Sequence, residues 1–239
     1  MFMPVLPKAI LCWSSGKDSA FALHVVRSAG EAEVVGLLTT VTRPYDRVSM
    51  HGVREELLDR QAEELGLACV KIDIPSPCSN EFYDQEMTRA LLGFKAQGVT
   101  RVVFGDIFLE DIRKYREARL AEVGLEAVFP LWMRNTAELA RDMLAIGFQA
   151  VVTCVDSSKL DCSFAGRLFD ERLLASLPAG VDPCGENGEF HTFVHAGPMF
   201  RRPISVVAGE VVEREGYIFS DLTPLPPLHD MERGGRRPG

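Results

Sequence analysis

The chain has 239 residues, of which 46% are hydrophobic and 25% charged, and its formal net charge is −8. That length suits one large α/β domain with a small appendage, and a core of that size stands without disulfides or structural metals. The acidic balance weighs against broad, sequence-independent binding to nucleic acid, which depends on basic surface to release counterions.

Taken in chain order, residues 1–13 lack the charged start, long apolar stretch and small-residue cleavage site of a secretory signal. No apolar run approaches membrane-spanning length, so no membrane is expected and a cytoplasmic setting is. Apolar, β-branched runs predict strands at 9–13, 34–40, 70–74, 101–105, 127–129 and 150–154. Helix spacing lies between them: Leu58, Ala62 and Leu65; Tyr83, Met87, Ala90, Leu91 and Phe94; Leu139, Ala140, Met143 and Leu144. The alternation predicts an α/β fold with a doubly wound, mostly parallel sheet. Beyond residue 154 the rhythm changes to a helix over 164–177, a Gly- and acid-rich loop at 180–189, and short alternating segments at 190–195, 204–212 and 217–219. The expected organisation is therefore an α/β domain over 1–155, a smaller C-terminal substrate subdomain over 156–230 and a disordered tail over 231–239. The six cysteines are scattered without a C-x-x-C pair and read as inert, reduced thiols. The sequence is compatible with an oligomer and does not fix one.

The strongest chemical signal is Ser14-Ser15-Gly16-Lys17-Asp18-Ser19, between the first strand and a helix starting near Asp18. Such a turn aims several backbone N–H groups and the positive end of a helix dipole at one spot, which suits phosphate. Gly16 allows close backbone approach. Lys17 supplies charge, and Ser14, Ser15 and Ser19 supply hydroxyl donors. Asp18 is placed to hold Mg²⁺ on a pyrophosphate leaving group. Neither a Walker A loop nor a G-x-G-x-x-G fingerprint is present.

Residues 14–19 resemble the SGGKDS signature of the N-type ATP pyrophosphatases, or PP-loop enzymes, with Ser15 in place of the first glycine; serine fits a φ > 0 geometry less comfortably than glycine. That resemblance implies ATP cleaved between its α- and β-phosphates. His51–Arg54, Phe104–Ile107, Phe129–Trp132 and Asp182–Thr192 follow in order, and together they resemble the diphthine–ammonia ligase (diphthamide synthase) family over about residues 9–220. The family resemblance implies an ATP-binding α/β domain followed by a smaller one. It also implies a carboxylate substrate, a modified histidine on an elongation factor, amidated with ammonium.

The residues agree with that chemistry. Gly105-Asp106 ends a predicted strand where open α/β sheets place ligands, and Thr39 and Thr40 end another and are placed to meet adenine or ribose. Arg54, Arg113 and Arg116 are candidates for phosphate or substrate carboxylate, whereas Arg119 reads as part of a solvated stripe. Glu186 and Glu189 flank Asn187-Gly188; one carboxylate would bind ammonium and the other take its proton, with His191 a lesser candidate base and Asn187 and Thr192 beside the substrate. A plain Asn-Gly turn with solvated acids is the alternative. Asp161, Gly166 and Arg167 match a family segment without an assignable role. A tRNA-modifying PP-loop enzyme and a non-catalytic ATP/AMP-binding module are the rival functions.

Overall fold

A computed structural model describes residues 5–225; the predicted tail over 231–239 lies outside them. The first half is built on five parallel strands: β1 (Lys8–Cys12), β2 (Glu33–Thr42), β4 (Ala68–Ile74), β5 (Val99–Val103) and β6 (Glu126–Val128). Their lateral order is β4-β2-β1-β5-β6. Chain order therefore reverses direction between β1 and β5, and a crevice opens there at the carboxyl ends of the strands. The two-residue β3 (Arg47–Val48) runs antiparallel to the end of β2, beyond the point where β1 stops. No apolar run or alternation pointed to it.

Helices α1 (Lys17–Ala29), α2 (Glu55–Leu65), α3 (Asn80–Ala96) and α4 (Glu110–Val123) fill the crossovers. Two buried clusters lie on the two faces of the sheet. Leu11, Leu37 and Val103 face the larger, which holds α1 and α2, and Ile10, Leu38 and Val102 face the smaller, with α3 and α4. The alternation of neighbouring strand residues between the two clusters is the period-2 signature of a doubly covered sheet.

The chain then forms α5 (Thr136–Ala145), whose Leu139, Ala140 and Met143 are buried, and a second, antiparallel sheet. This sheet contains β7 (Gln149–Asp156), β8 (Phe190–Ala196), β9 (Val206–Arg214) and β10 (Tyr217–Pro224) in the order β8-β7-β10-β9. The predicted strand at 150–154 is thus real but belongs to the antiparallel sheet rather than the parallel alternation. The predicted helix over 164–177 is a second correction. Its first part lies along β7, with Gly166 N bonded to Val152 O, Val152 N to Arg167 O and Phe169 N to Ala150 O. Only α6 (Glu171–Ser176) is helical, started by the Asp170 carboxylate accepting from Leu173 N. Inter-strand backbone pairing outweighed the apolar spacing that suggested one long helix.

Candidate active site

The seam between the two sheets runs through the Ser14–Ser19 turn. Ser15 sits at φ 70, in the left-handed region, which turns its carbonyl toward the second sheet. That oxygen accepts from Val194 N on β8 at 3.0 Å and from Gln61 Nε2 at 3.0 Å. Gln61 is fully buried in α2, also donates to Val194 O, and accepts from the Trp13 indole N–H. This amide therefore rivets strand, turn and second sheet together; a glutamine in mid-helix gave no warning of it. The amides of Ser14 and Gly16 meet only hydroxyls, Ser19 Oγ at 3.4 Å and Ser14 Oγ at 3.3 Å. Lys17 N donates to Thr192 Oγ1 at 3.1 Å.

Lys17 is 2% exposed. Its ammonium lies 3.0 and 2.9 Å from the two oxygens of Asp18, donates to Cys184 O, and sits 5.4 and 5.3 Å from the ring centroids of Phe169 and Phe190. Burial alone would lower its pKa; the Asp18 charge outweighs that and holds it above the usual lysine value. Thus Lys17 stays charged, anchored to the loop that contains the two predicted glutamates.

Glycines make the close approaches. A Cβ on Gly105, just after β5, would lie 2.8 Å from the Asp18 carbonyl carbon and the Ser19 nitrogen, so only glycine lets β5 meet the α1 N-terminus. A Cβ on Gly16 would meet His51 Cε1 at 2.7 Å. His51, which the sequence placed in a motif without assigning a role, packs 4.6 Å from the His191 ring and bonds Thr192 O through Nδ1 at 3.1 Å. A carbonyl only accepts, so Nδ1 carries the proton. Burial, then His191, holds His51 well below the ordinary histidine value, and burial brings His191 to about 4. Both rings are neutral near pH 7.

The two glutamates differ. Glu186 Oε1 accepts from Ile107 N at 2.7 Å and Phe108 N at 3.3 Å, which carries the acidic loop to the end of β5. Burial, with the Asp18 and Asp106 charges nearby, pushes it up to about 7. Glu189 is 3% exposed; Oε1 accepts from Asp182 N and Asn187 Nδ2, while Oε2 is buried without a partner. Asn187 itself is exposed and braces that carboxylate.

Beside this seam a cavity of about 150 Å³ opens at the strand ends. Ser14 and Thr40 line it, as do Trp13, Ser49, Tyr83 and Met87, which sequence reasoning had not assigned to a site. Thr39 lines it too, although its hydroxyl is spent on Trp13 O at 2.8 Å. Arg116 reaches the same cavity, paired with Asp106 at 3.1 Å and stacked 4.4 Å over Phe104. The other predicted arginines are engaged elsewhere. Arg113 pairs with Glu117 and stacks on Phe129 and Trp132, Arg54 is tied to Asp221, and Arg119 pairs with Glu122 at the surface. Asp161 caps a short helical turn and Arg167 stacks on Phe164, both structural roles.

Two family models match the chain, the diphthamide synthase N-terminal domain over residues 7–127 and the diphthamide synthase C-terminal domain over 135–221. The chain belongs to the diphthamide synthase family. Proteins named diphthine–ammonia ligase from Bos taurus and Homo sapiens are each 30% identical over 237 residues, covering 89% of this chain and 87% of theirs. The one from Schizosaccharomyces pombe is 26% identical over 84% of this chain but only 36% of its own length. In this family member, the seam joins the two domains that the family models describe: the Ser14–Ser19 turn from the first and the Asp182–Thr192 loop from the second.

Proposed function

We propose that the chain is an ATP-dependent, AMP-forming carbon–nitrogen ligase that amidates a carboxylate with ammonia. Ser14–Ser19 would hold the phosphates and the cavity beside Thr39, Thr40 and Arg116 the rest of the nucleotide. The loop fits an anion because its Ser14 and Gly16 amides meet only long hydroxyl contacts, which phosphate oxygens can replace. Asp18 is the residue suited to a Mg²⁺ carried in with the triphosphate, its oxygens now shared with Lys17. When bound, that ion would neutralise charge on the departing pyrophosphate.

An acceptor carboxylate oxygen attacks the α-phosphorus, the bond to the bridging oxygen breaks, and pyrophosphate leaves. Ammonia then attacks the acyl carbon and AMP departs with the acceptor's oxygen. The balance is carboxylate, ammonium and ATP going to amide, AMP, pyrophosphate and one proton. The nucleophile is neutral ammonia, so ammonium must be bound and deprotonated on the way. One observation carries this reading: Glu189 Oε2 is a buried acceptor without a partner, on the same short loop as Glu186, whose carboxyl is held near 7. An ammonium ion supplies donors to the first and a proton to the second. The family name and the relatives' names support a diphthine-type acceptor, which the sequence resemblance puts on an elongation-factor histidine, and reduced cysteines suit a cytoplasmic setting.

The test is to incubate the chain with ATP, Mg²⁺, ammonium and a diphthine-bearing elongation factor, measuring AMP, pyrophosphate and the amide mass change. Glu186→Gln should still release pyrophosphate while amide formation drops at least about 100-fold, the range of general base catalysis. ADP as the nucleotide product would end the ligase reading. Amide formation by Glu186→Gln at the full rate would remove Glu186 from it.

A further inference from the structure

Gln61 spends its whole side chain on three groups from other elements. On α2 and fully buried, it accepts from the Trp13 indole N–H at 2.8 Å and donates to Ser15 O at 3.0 Å and Val194 O at 2.7 Å. Only an amide offers an acceptor and two donors at one side-chain end. Ionised glutamate lacks the donors, and methionine of the same length lacks both.

Ser15 O faces Gln61 and β8, where Val194 N meets it at 3.0 Å. The Ser15–Gly16 peptide is trans, and a trans peptide points its C=O and its N–H to opposite sides. With the oxygen held against the second sheet, the Gly16 N–H is aimed into the turn, where Ser14 Oγ lies at 3.3 Å. This setting needs Ser15 at φ 70, a left-handed geometry that serine does not adopt by preference. Without Gln61 the serine can return to negative φ, and the peptide loses its fixed aim.

We propose that Gln61 is a positioning residue for ATP. With no exposed surface it meets no ligand itself. It holds the Ser15–Gly16 peptide with the N–H turned to the phosphates, and it ties that setting to Val194 in the second sheet. The turn's grip on phosphate then depends on the second domain as well as on its own residues. This rests on the reading of Ser14–Ser19 as the phosphate seat.

The test measures binding of ATP with Mg²⁺, and of adenosine, to the full chain by calorimetry with no acceptor present. Gln61→Met keeps the side-chain length and removes all three bonds. It should weaken ATP at least about tenfold, a difference of 1.4 kcal/mol, and leave adenosine, which has no phosphate, within about twofold. Adding Ser15→Gly to that variant should recover at least about threefold of the ATP affinity, because glycine takes up a positive φ without help. If Gln61→Met does not fold by circular dichroism, Gln61→Glu, which keeps an oxygen for Trp13 and loses the amide donors, should show the same selective loss. Equal loss of both ligands, or no recovery from Ser15→Gly, would make Gln61 a packing residue and overturn the proposal. If the selective pattern holds while ATP never yields AMP, Gln61 keeps this role and the ligase reading falls. If AMP and amide form while Gln61→Met binds ATP at full strength, the placement of Gln61 falls and the ligase reading stands.

Discussion

Ser15 combines two unfavourable features at one residue. Its φ of 70 is a left-handed geometry, and its hydroxyl is buried without a partner. A non-glycine residue in that region costs roughly 1–2 kcal/mol, and an unmet buried hydroxyl adds to it. Glycine removes both at the expense of a more flexible unfolded chain. Ser15→Gly should therefore stabilise the fold by about 1 kcal/mol and keep pyrophosphate release, both read by thermal denaturation and a coupled assay. A loss of turnover would mean that the hydroxyl binds phosphate. Gly105→Ala should do the opposite, because backbone atoms of Asp18 and Ser19 stand where the methyl would go and cannot rotate aside. Overpacking of this kind costs roughly 1–3 kcal/mol, and the displaced α1 N-terminus should lower ATP affinity as well. The turn itself was legible from sequence, since its composition and its place after a strand both point to phosphate. Ser15's conformation was not, because only the contact of its carbonyl with β8 calls for it. His51 was equally hidden: its partner Thr192 is 141 residues away in sequence.

Between elements, the alternation of strands and helices was readable because a two-sided sheet imposes runs of apolar residues separated by helical spacing. The partners of β7 were not, since a buried strand reads the same in either sheet. We propose that the domain boundary lies in the segment between β6 and α5, where the two family matches part, which keeps β7 with its own sheet. The two halves are tied at the far end by Asp221 on β10, which receives Arg47 from β3 and Arg54 before α2. Sequence reasoning had offered Arg54 to the substrate, with no way of seeing a carboxylate 167 residues away. Burial would raise the Asp221 pKa, but Arg54 and Arg47 outweigh it and hold it below the usual aspartate value. The tie is thus fully present above the ordinary aspartate pKa and fades as pH falls through the lowered one. Asp221→Ala should destabilise the chain by about 1–2 kcal/mol in urea unfolding, less than the 3–5 kcal/mol of a fully buried pair because Arg54 stays solvated. A cost that persists undiminished at pH 2 would show that packing, not charge, is responsible.

Across the whole molecule the seam contains groups whose protonation pulls stability in opposite directions. Glu186 is raised from its ordinary 4.5 to about 7, so its contribution to stability is complete below 4.5 and lost as pH rises through 7. His191, lowered from 6.5 to about 4, and His51, lowered in the same sense, contribute above 6.5 and lose that contribution as pH falls through their folded values. Rising pH between 4.5 and 6.5 therefore strengthens the seam through two histidines while weakening it through Glu186 and through Asp18, whose carboxyl burial also raises. Glu186→Gln tests this directly, because its amide oxygen can still accept from Ile107 N and Phe108 N but cannot ionise. At pH 4.5 the variant and the parent should unfold at nearly the same temperature. By pH 8 the variant should be the more stable by a few degrees, the parent having to keep a buried carboxylate charged beside Asp18 and Asp106, at a cost of at most about 3 kcal/mol for a shift of this size. The proposed chemistry needs that same ionised carboxylate, so amide formation in the parent should climb with pH to a plateau above about 7. Pyrophosphate release measured without ammonium should lack this limb, because it needs no base. If the stability gap between variant and parent is the same at pH 5 and pH 8, Glu186 does not titrate in this window, and its place as the base that frees ammonia cannot be maintained.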